Sequence, residues 1–301
     1  MTGLDASIII LTKNGGANFP RLLECIYNQR FDGSYEVIVI DSGSADGTLE
    51  VARKYPVILR EIAPQEFHHS RTRNLGAGMA QGKYMVYITQ DALPLDNGWL
   101  QNLINNFADP QVAMVVGRQV PWENTKPPEK FFYYYNFPDF KIVVQSGSAD
   151  YYHDNVFISD VNAAYRKEIW INYKFREDIV MAEDKETAAR ILAGGWTITY
   201  EPGAAVYHAH EYTIKQLFNR ALDYGLSLRQ GADALPASKM TRLNRLLILI
   251  RYEIKFLTKY GGWSWLPYIF IYNSSMYFGL FLGKAGLMAG PAARRIRRGH
   301  D

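Results

Sequence analysis

The chain predicts an α/β protein with a mostly parallel central sheet and helices on both faces. Three observations carry this. Over the first 120 residues, short runs rich in Val, Ile and Tyr alternate with helical segments at the spacing of βα units. Two of those runs end in a lone acidic residue before a turn, EVIVID at Asp41 and MVYITQD at Asp91, and the carboxyl edge of an open α/β sheet is where ligands bind. Finally, 301 residues at 48% hydrophobic and 21% charged can bury a full core, in one large unit or two modest ones.

The first strand is SIIILT, residues 7–12; no basic segment precedes this short apolar run, so it reads as a strand and not as a signal peptide. A helix follows from Asn18 or the adjoining Phe-Pro to Gln29. Cys25 lies in its apolar pattern, where core packing is its role; as the single cysteine it excludes an intramolecular disulfide and fits a reducing compartment. EVIVI, residues 36–40, is the second strand, and its Gly-, Ser- and Asp-rich turn leads into the helix LEVARKY. Asp46 in that turn reads as structural. A third strand at 56–61, a helix over 70–81 and the strand of KYMVYITQDALP come next, then a helix at 99–107 and a strand at 112–120.

Residues 121–154 break the pattern. PWENTKPPEKFFYYYNFPDF holds four prolines and a dense aromatic cluster, which predicts a long irregular loop of the kind that is usually functional. Pattern resumes at 156–165, then a helix at 183–194 and two short strands within 197–210, broken by Glu201, Pro202 and Gly203. From residue 213 the chain is helical. Residues 236–301 carry eleven Lys/Arg against two acidic residues, a balance of +9 that leaves −6 for the rest of a chain of net charge +3. The basic residues alternate with Leu, Ile and Phe, a membrane-surface pattern rather than a phosphate track, so nucleic acid is not the expected partner. Residues 260–283 are uncharged for 24 residues, which is long enough to span a bilayer. Pro267, Asn273, Ser274, Ser275 and two Trp near the start favour a segment lying in the interface instead. The closing Arg294, Arg295, Arg297 and Arg298 suit an anionic leaflet, at about 1 kcal/mol per basic residue near its surface.

IIILTKNGG, EVIVIDSGSADGT, FHHSRTRNLGAGMAQGKYMVYITQDALP, AED and YHAHEYT, in this order over residues 7–215, resemble the inverting family-2 glycosyltransferases. Within that family, FHHSRTRN followed by TQDALP is similar to the bacterial rhamnosyltransferases of polysaccharide assembly. The resemblance implies the A-type, Rossmann-like nucleotide-sugar-binding fold. It implies a catalytic domain over 1–212, with a nucleotide-sugar-binding half at 1–120 and an acceptor-binding half at 121–212, and a basic, aromatic, membrane-associating helical region over 213–301.

For individual residues it implies that Asp41 accepts the imide N–H of a uracil or thymine base, the plain alternative being an Asx turn or helix cap. Thr12 and Asn14 would line the nucleoside pocket. Arg73 would meet the nucleotide with its planar five-donor guanidinium, unless it is an ordinary helix arginine. Asp184 of the Glu183-Asp184 pair would be the general base that takes the acceptor hydroxyl's proton; two acids at a helix N-terminus are the alternative. Asp160 and Asn162 would bind sugar hydroxyls or form a strand-end turn. Glu183 and Trp196 also belong to the acceptor side, Trp196 as a sugar platform or as core packing.

The metal motif departs from the family. In place of Asp-X-Asp the chain reads Thr89-Gln90-Asp91, so Gln90 joins the donor side without a carboxylate and the divalent cation lacks a ligand. His208 is expected to supply it, with His210 as the alternative, and a mixed Asp/His set tilts the choice from Mg²⁺ toward Mn²⁺. The expectation is a metal-dependent enzyme that moves rhamnose from dTDP-rhamnose onto a lipid-linked glycan, in the cytoplasm and peripherally attached to the inner face of the cell membrane. The alternatives are a UDP-hexose-dependent glycosyltransferase, and a non-catalytic membrane-bound glycan- or nucleotide-binding module.

Overall fold

A computed structural model describes residues 3–145, 157–232, 242–260 and 262–298. The elements are β1 (Ala6–Thr12), α1 (Asn18–Tyr27), β2 (Tyr35–Asp41), α2 (Thr48–Ala52), β3 (Ile58–Glu61), α3 (His69–Met79), β4 (Tyr84–Ile88), β5 (Leu93–Pro94) and α4 (Trp99–Asn105). Then come β6 (Val112–Val120), α5 (Pro127–Asn136), β7 (Ile142–Val144), β8 (Asn162–Arg166), α6 (Lys167–Trp170), α7 (Glu183–Ala193) and β9 (Thr197–Tyr207). The helices α8 (Ile214–Ser227), α9 (Arg242–Tyr260), α10 (Leu266–Ala285) and α11 (Pro291–Arg298) follow.

One sheet runs β3-β2-β1-β4-β8-β6-β9-β5, with β7 also paired to β9. The first four strands are parallel, as are β6 and β9. Antiparallel β8 lies between β4 and β6, and β5 and β7 run against β9. The central parallel strands β1, β2 and β4 are dominated by buried apolar residues because both faces are covered. Ile8 and Ile10 pack with Phe19, Leu22 and Ile26 of α1 on one face, while Ile9 and Ile38 join Ala77 and Tyr87 in the cluster on the other. Each fully buried Ile contributes about 1.5–3 kcal/mol.

Two stretches differ from the sequence expectation. The loop expected over 121–154 contains α5 and β7; its residues 146–154, and residue 156 of the next expected strand, lie outside the described residues. Pro127 and Pro128 start α5 rather than break it, since the first helical turn needs no amide donors there. The two short strands expected in 197–210 are the single strand β9. An irregularity absorbs Pro202 to Ala204: the register steps from Gly117 opposite Glu201 to Arg118 opposite Ala205.

The C-terminal helices pack on the α5 side of the sheet, where Phe131 and Tyr135 of α5 meet Phe256 and Tyr252 of α9. Helices α8 and α10 approach backbone to backbone at Gly225, Gly279 and Gly283, where a Cβ would run into main-chain atoms of the other helix. Asp223 of α8 is buried and accepts the N–H groups of Ala292 and Ala293, each at 3.0 Å, at the start of α11. Among the described residues no helix is long and apolar enough to cross a membrane. Gly261, and the side chains of Arg295, Arg297 and Arg298, lie outside them.

Candidate active site

The carboxyl ends of β1, β2, β4 and β9 form one surface. Thr12 and Asp41 are register partners at its parallel side. Asp41 is fully buried; its Oδ1 accepts the N–H groups of Gly43 (2.9 Å) and Ser44 (2.8 Å), and its Oδ2 accepts the Ser44 hydroxyl at 2.5 Å. Of the two readings open for Asp41, the Asx turn is what the structure displays. Asn14 is exposed and left-handed at φ 50°, a conformation Asn tolerates. Its Oδ1 accepts the Ala45 N–H at 2.9 Å and its own N–H donates to Ser44 Oγ at 2.7 Å. Gly15 N–H donates to Thr48 Oγ1 (2.8 Å) and Gly16 N–H to Asp46 Oδ2 (3.0 Å), so the two loops are knitted together. Asp46 is structural as expected: the Thr48 hydroxyl beside it, at 2.6 Å, is the main reason its carboxyl titrates low.

Thr89 stands where the first acid of the pattern is missing, and Gln90, between it and Asp91, turns to β1. Its Oε1 accepts from the Thr12 hydroxyl (2.6 Å) and the Lys13 N–H (2.9 Å), while its Nε2 donates to Lys13 O at 3.2 Å. A carboxylate has no N–H to donate, so only the amide can close this clamp between β1 and β4.

Asp91, His208 and His210 each offer a ligand atom, all within 4.8 Å of one another. The short strand β5 brings them together: it pairs Leu93 with Tyr207, laying the Asp91 turn beside the end of β9. His208 Nε2 lies 3.8 Å and His210 Nε2 3.5 Å from the Asp91 carboxylate, and the two Nε2 atoms are 3.1 Å apart. His208 Nδ1 donates to Gln119 Oε1 at 2.9 Å, which fixes its tautomer with the Nε2 lone pair free. Burial pushes His208 down to about 4 and also lowers His210, in both cases against the pull of Asp91. Two neutral imidazoles and a carboxylate fit a divalent transition-metal ion, and both histidines, not one, reach the place.

Asp184 starts α7, just after Ala182, which is left-handed at φ 67°. Its Oδ2 accepts the Asp160 N–H (3.2 Å) and its Oδ1 the Lys185 N–H (2.8 Å). Burial, then the neighbouring Glu183, raise its carboxyl above the ordinary range. Arg73, 12% exposed, is held by Glu183 and by Asp160, the latter at 3.4 Å. Tyr165 donates its hydroxyl to Asp160 at 2.6 Å.

Several of the expected site residues have protein partners. Arg73 is paired with two buried acids, Glu183 and Asp160, and Asp160 is also held by Tyr165. Asn162 is fully buried: it accepts from Trp99 Nε1 (2.9 Å) and donates to Arg118 O (3.2 Å) and Ala204 O (2.8 Å), leaving nothing for a sugar. Trp196, beyond the far end of α7 from Asp184, packs against the core.

Residues 7–173 match the family described as Glycosyl transferase family 2. Over 285 residues the chain is 30% identical to the O-antigen chain rhamnosyltransferase RfbN of Salmonella typhimurium, covering 93% of this chain and 90% of that one. This chain belongs to glycosyltransferase family 2. It is also 32% identical over 224 residues to the O-antigen chain rhamnosyltransferase WbaN of Salmonella anatum, covering 73% of this chain and 71% of the relative. Among solved structures it is similar to the mannosyltransferase PcManGT from Pyrobaculum calidifontis in complex with GDP-Man and Mn²⁺. The TM-score is 0.56 at 19% identity, over 99% of this chain and 79% of that one. S. aureus TarS 1–349 in complex with UDP-GlcNAc gives a TM-score of 0.55 at 16% identity, over 90% and 79%. These two likenesses show the A-type fold.

Sequence reasoning missed three supports of this family-2 site. Gln119, behind His208, is a buried polar residue in the apolar run VAMVVGRQV, which is the signal that could have found it. Tyr133 accepts the His210 N–H at 3.3 Å from a segment read as loop. Lys185, beside Asp184, lies 3.9 Å from the Phe157 ring and 4.8 Å from that of Tyr224, contacts between distant segments that left no local pattern.

Proposed function

We propose that this family-2 glycosyltransferase transfers rhamnose, with inversion, from dTDP-rhamnose to a lipid-linked glycan during assembly of a bacterial surface polysaccharide. The observation that carries the chemistry is the convergence of Asp91, His208 and His210 on the sheet edge that also carries the nucleoside-side loops. The choice of sugar is supported by the O-antigen rhamnosyltransferases to which the chain is similar.

Asp184 is the general base. Its oxygens are oriented by the Asp160 and Lys185 N–H groups, and its raised carboxyl suits it to accept the acceptor hydroxyl's proton as the new glycosidic bond forms. Arg73 is a positioning residue, tying α3 to the start of α7 through Glu183 and Asp160. Asp91, His208 and His210 hold a divalent cation, Mn²⁺ in preference to Mg²⁺, which when bound supplies Lewis-acid stabilisation to the departing diphosphate. Thr12, Asn14 and the turn shaped by Asp41 cradle the nucleoside, and Gln90 fixes the spacing of the strands beneath it. Residues 1–212 form the catalytic domain, with donor and acceptor halves meeting near 120. Residues 213–301 lie along the cytoplasmic face of the membrane through exposed apolar residues such as Trp263, Phe270, Phe278 and Phe281.

The deciding experiment is a donor panel of dTDP-rhamnose, UDP-hexoses and GDP-mannose with Mn²⁺ and lipid-linked acceptor, read as nucleoside diphosphate release. dTDP-rhamnose is expected to turn over at least about tenfold faster than the rest, the discrimination that a few pocket contacts supply. A faster UDP-hexose would reassign the donor. Tight binding without release from any donor would replace the enzyme with a binding module.

A further inference from the structure

Arg220, in the middle of α8, was given no role by the motifs, yet it stands next to the metal-ligand cluster. Its guanidinium carbon lies 4.9 Å from the ring centroid of Tyr212. The Tyr212 ring is 5.4 Å from that of His210, whose Nε2 is 3.5 Å from Asp91. One aromatic ring therefore separates this cation from the cluster.

Several arginines of this chain are held by acids, and Arg220 is not. Arg53, Arg71, Arg73, Arg176 and Arg190 each sit against a carboxylate. Arg220 is exposed, and among the described residues it makes neither an ion pair nor a hydrogen bond. Stacking on Tyr212 restrains the guanidinium without using its N–H groups.

We infer that Arg220 binds the donor's diphosphate, its guanidinium gripping phosphate oxygens beside the Asp91, His208 and His210 cluster. The inference rests on the proposed nucleotide-sugar site. The ligand class follows from the chemistry: a planar fork of N–H donors matches phosphoryl oxygens, and the cation faces the group on which negative charge builds as the bond to the sugar breaks. A cation placed there stabilises the transition state more than the bound donor. Loss of Arg220 therefore lowers kcat as well as affinity for the free nucleoside diphosphate.

The same chemistry could serve a diphosphate in the lipid-linked acceptor, and the test separates the two sources. Calorimetric titrations of dTDP, dTMP and inorganic pyrophosphate, with Mn²⁺ present, are made on the full chain and on Arg220→Ala and Arg220→Lys. Arg220→Ala is expected to weaken dTDP and pyrophosphate about tenfold to hundredfold, the range of one or two charge-assisted hydrogen bonds. Binding of dTMP, which lacks the outer phosphate, changes by less than about threefold on the same scale. Arg220→Lys, which keeps the charge but not the fork, falls between. Unchanged Mn²⁺ affinity of Arg220→Ala shows that the fold is intact. Wild-type affinity of Arg220→Ala for dTDP and pyrophosphate overturns the inference, and a rise confined to the KM for lipid-linked acceptor overturns it in favour of the acceptor. A wild-type chain that binds Mn²⁺ but no nucleoside diphosphate sinks the underlying site reading, and the inference with it.

Discussion

In the loops after β1 and β2, polar groups are spent on one another: Asp41 on Gly43 and Ser44, Asn14 on Ala45 and Ser44, Thr48 on Gly15 and Asp46. Around Asp91 and Asp184 the reverse holds. Two imidazole nitrogens share one hydrogen bond at 3.1 Å beside a carboxylate, and Asp160, Glu183 and Asp184 crowd one arginine beside a left-handed alanine. The first region is a finished cradle that keeps its shape without a partner. The second gathers like charges and metal-ligating groups at close range, which is where a ligand or a proton has most to gain.

The contrast can be broken in five places. The largest effect is expected from Asp184→Asn: transfer falls about 10²–10⁴-fold, the usual contribution of a general base, with dTDP affinity unchanged by calorimetry. Near-wild-type turnover would remove Asp184 from the chemistry. Arg73→Met leaves the buried Glu183 without a counter-charge and should lower stability by about 3–5 kcal/mol in urea unfolding; no change would mean that Glu183 is not charged in the fold.

A third test uses pH. Burial raises the Asp160 carboxyl to about 8, so between its ordinary value and that point the folded state holds a proton the unfolded chain has released. Stability from this group therefore falls as pH rises through that window, and Asp160→Asn should flatten the fall in melting temperature. The donor-side Asp46 has the opposite sign, lowered in the fold, so its contribution is lost as pH falls. Next, Gln119→Leu frees the His208 ring and should weaken Mn²⁺ binding by about 10–100-fold, read by metal titration. The smallest effect belongs to the cradle: Thr48→Val strands the Gly15 N–H and should cost about 1–2 kcal/mol while leaving Mn²⁺ affinity untouched.

What was legible in the sequence follows the same divide. β1, β2 and β6 could be read because strands covered on both faces are continuous apolar runs. α5 and β9 were misread because Pro127 and Pro202 look like breakers until a helix start and a strand irregularity accommodate them. The acid of the metal cluster could be named from its strand end, but its union with both histidines depends on β5, two residues long and without a pattern of its own. Arg73 and Asn162 were given ligands to bind because their real partners lie far along the chain: Glu183 is 110 residues from Arg73, and Trp99 is 63 from Asn162. Residue type announces chemistry at short range, whereas burial by distant segments decides whether that chemistry is available.

The glycine seam between α8 and α10 has a mechanical consequence. Arg220 rides on one helix; Phe270, Phe278 and Phe281 stand exposed on the other. At Gly225 and Gly283 the nearest atoms of the facing helix are main-chain ones, so no rotamer can change there to absorb a displacement. The pair behaves as a single strut, and a tilt of α10 reaches Arg220 without slack. The distance from the exposed phenylalanines to the catalytic edge is thus set by three absent methyl groups.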